Sequence, residues 1–222
     1  MNDYDERTRT ESVAAFNVIR LQSVFTVILR NDSEYSVTIT GDDDVIGDVE
    51  LRSEGDTLIL INHATGKLMN PERNTVVIEI TAPSFLSFIS EASYSLSSIG
   101  TLAIDEFYIW NYPDVKISEI TMDIEGKYFF YWNNWLSGGK LTLSGNVQTT
   151  IIRNDALHIV DAKNLKSFYT IVTHYGRENC EVSASLQLQY SINGPGNIIV
   201  HGHPAEIILV EKTASGELIL AD

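Results

Sequence analysis

Residues 101–143, TLAIDEFYIWNYPDVKISEITMDIEGKYFFYWNNWLSGGKLTL, carry the apolar pairs Leu102/Ile104, Met122/Ile124 and Leu141/Leu143. Each pair sets two side chains on one face of a strand, because side chains alternate along an extended backbone with a period of two. Outward from this stretch the pattern returns as Leu157/Ile159 and Leu186/Leu188, at successive intervals of 20, 19, 16 and 29 residues, with no helical periodicity between. A strand pattern that recurs near the length of one coil predicts a chain wound into stacked β-coils. One coil cannot bury its own apolar face, so stacking accounts for most of these residues.

The corners of such coils are marked by Ser97-Ser98-Ile99-Gly100, Tyr112-Pro113-Asp114, Glu125-Gly126-Lys127, Ser137-Gly138-Gly139, Ser144-Gly145-Asn146 and Asn193-Gly194-Pro195-Gly196. At roughly 20 residues per coil, residues 75–210 hold about six or seven coils spaced about 4.8 Å apart. Before them, short β-runs at 16–21, 24–29, 35–40, 49–52 and 57–61 read as a β-rich N-terminal cap over 13–74, and 211–222 as a closing strand. Residues 1–12 are charged and aperiodic, which predicts a flexible tail. In Gly41–Asp48, three acids followed by Val45-Ile46 predict one helical turn capped by Asp42 or Asp43.

The 222 residues contain no linker of Pro, Ser and Gly and read as one elongated domain, 13–222. With 44% apolar residues the chain folds, and no apolar run is long enough to span a bilayer, so it reads as soluble with no transmembrane segment. Its 30 acidic against 15 basic residues, a formal charge of −15 with no basic patch, argue against nucleic acid and anionic lipid as partners. Cys180 is the single cysteine, placed in a polar, loop-like stretch, and reads as a free thiol tucked against the body.

The residues also resemble a known family. Val13, Phe16, Ile19, Phe25, Val27, Val37 and Ile39 before Gly41, then Gly55 with Leu58 and Ile59, and a strand entering Pro83-Ser84-Phe85-Leu86, carry the N-terminal part of the likeness. Its strongest piece is Tyr190-Ser191-Ile192-Asn193-Gly194-Pro195-Gly196-Asn197-Ile198, followed by Gly202-His203-Pro204 and Ser215-Gly216. From Val13 to Leu220 the chain resembles the "putative auto-transporter adhesin, head GIN domain" family of exported Bacteroidetes proteins. The central corners Glu91-Ala92-Ser93 and Asn111-Tyr112-Pro113-Asp114 depart from that family's Ser-Gly-Ala-Ser turn. The resemblance implies an all-β fold, a single-stranded right-handed parallel β-helix, and export to the periplasm, outer membrane or cell surface. It also implies lipoprotein anchoring through an N-terminal segment removed from this sequence. It implies no catalytic residue and no cofactor.

The densest aromatic run is Tyr128-Phe129-Phe130-Tyr131-Trp132, with Trp135 after it and Trp110 and Tyr112 one coil earlier. Alternation puts Tyr128, Phe130 and Trp132 on one face and Phe129 with Tyr131 on the other, and both faces cannot be core. Trp110, Tyr112, Tyr131, Trp132 and Trp135 are the candidate contacts, since aromatic strips suit sugar faces or a protein partner. Asp42, Asp43 and Asp44 cannot all point at one calcium ion, and His201 and His203 lack further ligands, so no metal is expected. The Asn-Thr-Asp, Asp-Asp and Gly-His-Gly set of β-helical hydrolases is absent, as are a nucleophile elbow, a phosphate loop and a dinucleotide fingerprint. The sequence therefore reads as a non-catalytic exported module that binds glycan or a surface protein. A carbohydrate-active enzyme, polysaccharide lyase or hydrolase, and a structural envelope protein are the alternatives.

Overall fold

The structure, a computed structural model, describes residues 5–64, 75–133, 137–155 and 157–221. Among them, seventeen strands and one helical turn form a β-solenoid of about 6 turns. The N-terminal elements are β1 (Glu6–Ser12), β2 (Val18–Leu21), β3 (Phe25–Asn31), β4 (Ser36–Asp42), α1 (Asp43–Ile46), β5 (Val49–Glu54), β6 (Thr57–Asn62), β7 (Val77–Ala82) and β8 (Ser87–Ser90). Four long strands follow: β9 (Tyr94–Asn111), β10 (Ile117–Asn133), β11 (Gly138–Asn154) and β12 (Leu157–His174). Shorter ones finish the stack, namely β13 (Cys180–Ser183), β14 (Gln187–Ile192), β15 (Ile198–His201), β16 (Glu206–Lys212) and β17 (Leu218–Ala221).

Each long strand runs through three parallel ladders. The first stacks β3, the starts of β9 to β12, then β13, β15 and β17, and the third stacks β2, β8, the ends of β9 to β12, then β14 and β16. The second joins only the middles of β9 to β12. At the bend into it, Gly145 takes φ 109°, and a Cβ there would lie 2.0 Å from the Ile124 carbonyl oxygen. Only glycine lets the rungs close at that corner.

Stacking produces the core. In the first ladder Val27, Leu96, Ile120, Leu141, Val160, Cys180, Ile198 and Leu218 form one column. In the third, Ile19, Phe88, Ile109, Tyr131, Ile152, Val172, Tyr190 and Leu209 form another. Every member of these columns except Leu209 is buried or half-buried. Burying a Leu, Ile or Val side chain contributes about 1.5–3 kcal/mol, so each rung is held by the rungs on either side.

Several expectations change. Residues Glu6–Ser12 are a strand paired antiparallel with β4, not a loose tail, because each of its residues finds a partner residue along that edge, from Glu6 opposite Asp42 to Ser12 opposite Ser36. Coiling starts before residue 75: β2 and β3 already form a rung under β8 and β9, while β7 belongs to the cap, pairing with β3 and antiparallel with β4. β6 and β7 pair with β2 and β3 on the side away from β8 and β9, and α1 plugs that end with Val45 and Ile46 buried. Its cap is Asp42, whose carboxylate accepts from the Asp44 amide at 3.1 Å, as the acidic run suggested.

Leu157 and Ile159 point outward, 56% and 45% exposed, with His158 and Val160 inside in their place. The phase is inverted because Ser118, Gly139 and His158 share an inward column, which leaves Ile117, Gly138 and Leu157 outside. Leu186 is exposed as well, although Leu188 is core. Cys180 is a fully buried strand residue rather than part of a loop.

Candidate functional site

The third ladder turns a row of rings outward. Tyr108 pairs with Phe130, Trp110 with Trp132 and Glu106 with Tyr128 across β9 and β10, and these side chains share the outer face because Phe107, Ile109, Phe129 and Tyr131 fill the inner one. Ring centroids lie 4.7 Å apart for Trp110 and Phe130, 5.7 Å for Trp110 and Trp132, 5.9 Å for Tyr108 and Phe130, and 5.4 Å for Tyr108 and Tyr128. These four pairs are tilted or edge-on, Tyr108 and Trp110 lie parallel with centroids 6.5 Å apart, and each ring is half-buried. Beyond Phe130 the same outer column continues through Ile151 and Ile171, so the aromatic strip merges into an apolar sheet face.

Polar groups fix both margins. On one side the Tyr108 hydroxyl donates to Glu106 at 2.9 Å. Loss of water around that phenol, then the Glu106 carboxylate, pushes its pKa up to about 12. On the other side the Trp132 indole Nε1 donates to Asp155 Oδ2 at 2.9 Å, and Arg153 Nε donates to the same oxygen at 2.8 Å. Asp155 is buried at 7% exposure, while its amide donates to Asn133 Oδ1 at 3.0 Å. The Arg153 guanidinium lies over the ring of Tyr175, 5.7 Å from its centroid. Trp132 is thus held in one orientation by a charged pair that presents its own aromatic cover.

Of the expected contact residues, the structure brings Trp110 and Trp132 together on this face. Tyr112 lies just past β9 in the corner, where its amide donates to the Ser90 carbonyl, and its side chain is 43% exposed. Tyr131 is a correction: it is fully buried in the core column, since strand alternation assigns it to the side opposite Trp132. Trp135 lies outside the described residues. Tyr108, Arg153, Asp155 and Tyr175 are not among the residues the sequence singles out. The alternation rule already grouped Phe130 with Trp132, and only long-range register brings in the others.

A serine and a histidine also meet, yet inside the core. Tyr94 Oη donates to Asn111 Oδ1 at 2.7 Å, Asn111 Nδ2 donates to Ser118 Oγ at 3.1 Å, Ser118 Oγ lies 2.9 Å from His158 Nε2, and Tyr131 Oη lies 3.0 Å from His158 Nδ1. Burial holds His158 down at about 4 despite a backbone hydrogen bond at Gly138. With all five residues sealed from solvent, this chain satisfies buried polar groups and offers no nucleophile to a substrate. His201 Nε2 meets Glu181 at 3.0 Å, His203 is exposed, and no group of three or more His, Cys, Asp or Glu that could hold a metal occurs among the described residues.

Residues 15–204 match the family described as "Putative auto-transporter adhesin, head GIN domain". The chain belongs to that family. Crystal structures of "putative adhesins" share its fold. One from Bacteroides fragilis is 18% identical with a TM-score of 0.85, covering 99% of this chain and 98% of that one. Another from Parabacteroides distasonis is 14% identical with a TM-score of 0.62, covering 98% of each chain. A third from Parabacteroides merdae is 12% identical with a TM-score of 0.54, covering 98% and 96%. No curated protein matches the chain. At these identities the likeness is one of fold, and the adhesin description comes from the family itself. No helix among the described residues is long and apolar enough to cross a membrane.

Proposed function

We propose that the chain is a non-catalytic, adhesin-like module, exported and displayed at the cell surface, that grips a glycan through the aromatic outer face of its third ladder. One observation carries this reading: Tyr108, Trp110, Tyr128, Phe130 and Trp132 leave the core together, at the surface, with their rings in mutual contact. Indole and phenol rings offer apolar area at small entropic cost, and a sugar ring presents the matching C–H face. The Glu106 carboxylate and the Arg153 guanidinium at the margins supply an acceptor and donors for hydroxyls, with buried Asp155 holding Arg153 in place. Tyr112 borders the same face. A rigid solenoid suits the role because stacked rungs hold the rings in fixed relation without a ligand.

A glycan array probed with the wild-type chain, Trp110→Ala and Trp132→Ala tests the proposal. A specific signal that drops ten-fold or more in both variants supports it, each ring being worth about 1–3 kcal/mol by analogy with other stacking contacts. An array without signal, or a signal indifferent to both substitutions, overturns it in favour of a protein partner or a structural envelope role. Release of reducing ends from any arrayed glycan indicates a carbohydrate-active enzyme instead. Anchoring is tested separately, by lipid labelling and surface protease access of the native gene product.

A further inference from the structure

The outer face of the third ladder is made of columns that run along the solenoid axis. In one of them Arg20, Ile89, Trp110, Trp132 and Arg153 follow one another on successive rungs. Ion pairs close both ends of this column, Arg20 with Glu91 and Arg153 with Asp155. Between the two guanidinium groups stand Ile89 and the two indoles. Neighbouring rungs lie about 4.8 Å apart, so the column measures about 14 Å from Ile89 to Arg153.

Size decides between classes of partner. From Ile89 on β8 to Ile171 on β12 the apolar face runs about 19 Å along the axis, and from Glu106 to Trp110 about 13 Å across, roughly 250 Å² in all. A stable protein interface takes about 800 Å² from each partner, so this face alone is too small for one and large enough for a short sugar chain. Ring orientation then narrows the chain. Trp110 and Trp132 stand on successive rungs with centroids 5.7 Å apart and planes crossed at 80°. The crossing is fixed from both sides: Trp132 Nε1 donates to Asp155 Oδ2 at 2.9 Å, whereas Trp110 lies within 10° of parallel to Tyr108 on its own strand.

Resting on the glycan reading of this face, the geometry points to one class of ligand: an extended β-1,4-linked chain laid along the solenoid axis, one pyranose per rung, whose ring planes turn from each sugar to the next. A chain of equatorially linked pyranoses advances close to one strand spacing per sugar, so neighbours in the chain meet neighbours in the column. Stacking sets a sugar face parallel to an aromatic face. A flat ribbon holds all its sugar faces in one plane and can lie on Trp110 or on Trp132, not on both. Chains with hydroxymethyl arms are held flat by hydrogen bonds from sugar to sugar, whereas a pentose chain without those arms twists. The ligand is therefore a pentose chain of the xylan type. The ion pairs at the column ends meet the hydroxyls of the end units and set the bound length at about four sugars.

Isothermal titration of the full chain with xylo-oligosaccharides and cello-oligosaccharides, from the dimer to the hexamer of each, tests this assignment, with circular dichroism to confirm that each variant is folded. Xylohexaose should bind about ten-fold or more tightly than cellohexaose, and affinity in the xylose series should rise to about four units and then level off. Asp155→Ala frees the Trp132 indole and should bring the two hexaoses within about three-fold of each other. Trp132→Phe, which has no Nε1–H to be held, gives the same readout should Asp155→Ala not fold. Equal binding of the two hexaoses, a preference for cellohexaose, affinity that still grows at six units, selectivity unchanged in both variants, or no binding in either series would each overturn the twisted chain. Trp110→Ala and Trp132→Ala separate this outcome from failure of the site. A flat chain whose binding both substitutions abolish removes only the twisted ligand, whereas binding indifferent to both removes the aromatic site itself.

Discussion

Ser118 Oγ and His158 Nε2 lie 2.9 Å apart, and neither residue reaches solvent. They come from different rungs, with Gly139 between them in the ladder. A side chain at Gly139 would run into the Ser118 carbonyl oxygen, 2.1 Å from the Cβ, so the gap that lets serine and histidine touch is also a close backbone approach. The pair is anchored at both ends by tyrosines, and this explains how a β-solenoid core tolerates polar groups. The hydrogen bonds cross the core, joining Tyr94, Ser118 and His158 of the first ladder to Asn111 and Tyr131 of the third.

That network makes stability depend on mildly acidic pH. His158 is held near 4 and His174 is also lowered by burial, so both are neutral in the fold and take up protons near 6.5 when the chain unfolds. Above that value they contribute no pH dependence. As pH falls toward 4 the unfolded state binds more protons than the native one, and stability drops. Between pH 7.5 and pH 5 the loss from His158 is about 2 kcal/mol, to which His174 adds in the same direction. Denaturant titrations at the two pH values measure it, and His158→Gln should flatten the difference by the His158 share. The lowered carboxylates of Asp123 and Asp161 lose their stabilisation only below this window, so they do not confuse the comparison.

Two glycines with positive φ separate backbone strain from crowding. Gly55, φ 62°, turns β5 into β6 with nothing within 4 Å of an added Cβ, and Gly145, φ 109°, meets the Ile124 carbonyl. Gly55→Ala should cost about 1–2 kcal/mol, the penalty of a left-handed backbone alone. Gly145→Ala should cost about 3 kcal/mol or more, because the rung must also move off its neighbour. Thermal melts of the two variants would show the difference, and equal losses would mean that the corner relaxes freely.

The coil pattern was legible because it is local. Pairs such as Leu141/Leu143 need only alternation to be recognised, and the Asp42 cap needs only four consecutive residues. What could not be read depends on register between distant segments. The pairing of Ile19 with Phe88 skips the whole cap, so the first rung looked like part of it. Leu157 and Ile159 have a core-like spacing, but their phase is set by Ser118 and Gly139 on earlier rungs, through a ladder that no local pattern encodes. The aromatic site was half-visible for the same reason. Trp132 and Phe130 share a face by alternation, whereas Tyr108 and Arg153 join them only through neighbouring strands.

Cys180 should define the alkaline limit. It stands between Val160 and Ile198 in the first ladder, and burial pushes its thiol from 9.0 up to about 12, with the adjacent Glu181 adding to the rise. The folded chain therefore keeps the proton that the unfolded chain releases, and stability falls as pH rises above 9. Between pH 8 and pH 10 the loss is about 1.4 kcal/mol. The raised tyrosines Tyr94, Tyr108, Tyr128 and Tyr131 add a loss of the same sign as pH nears 10, so the thiol's share is read as the difference between wild type and a variant without it. Cys180→Val matches the residue one rung below and should leave stability at pH 7 within about 1.5 kcal/mol of wild type while reducing the alkaline loss by the thiol's share. The native thiol should also resist a disulfide reagent until the chain unfolds, because attack requires a thiolate that reaches solvent. Rapid labelling of the folded protein at pH 8, or an unchanged slope in Cys180→Val, would show that this rung opens readily and that the column is less continuous than its register implies.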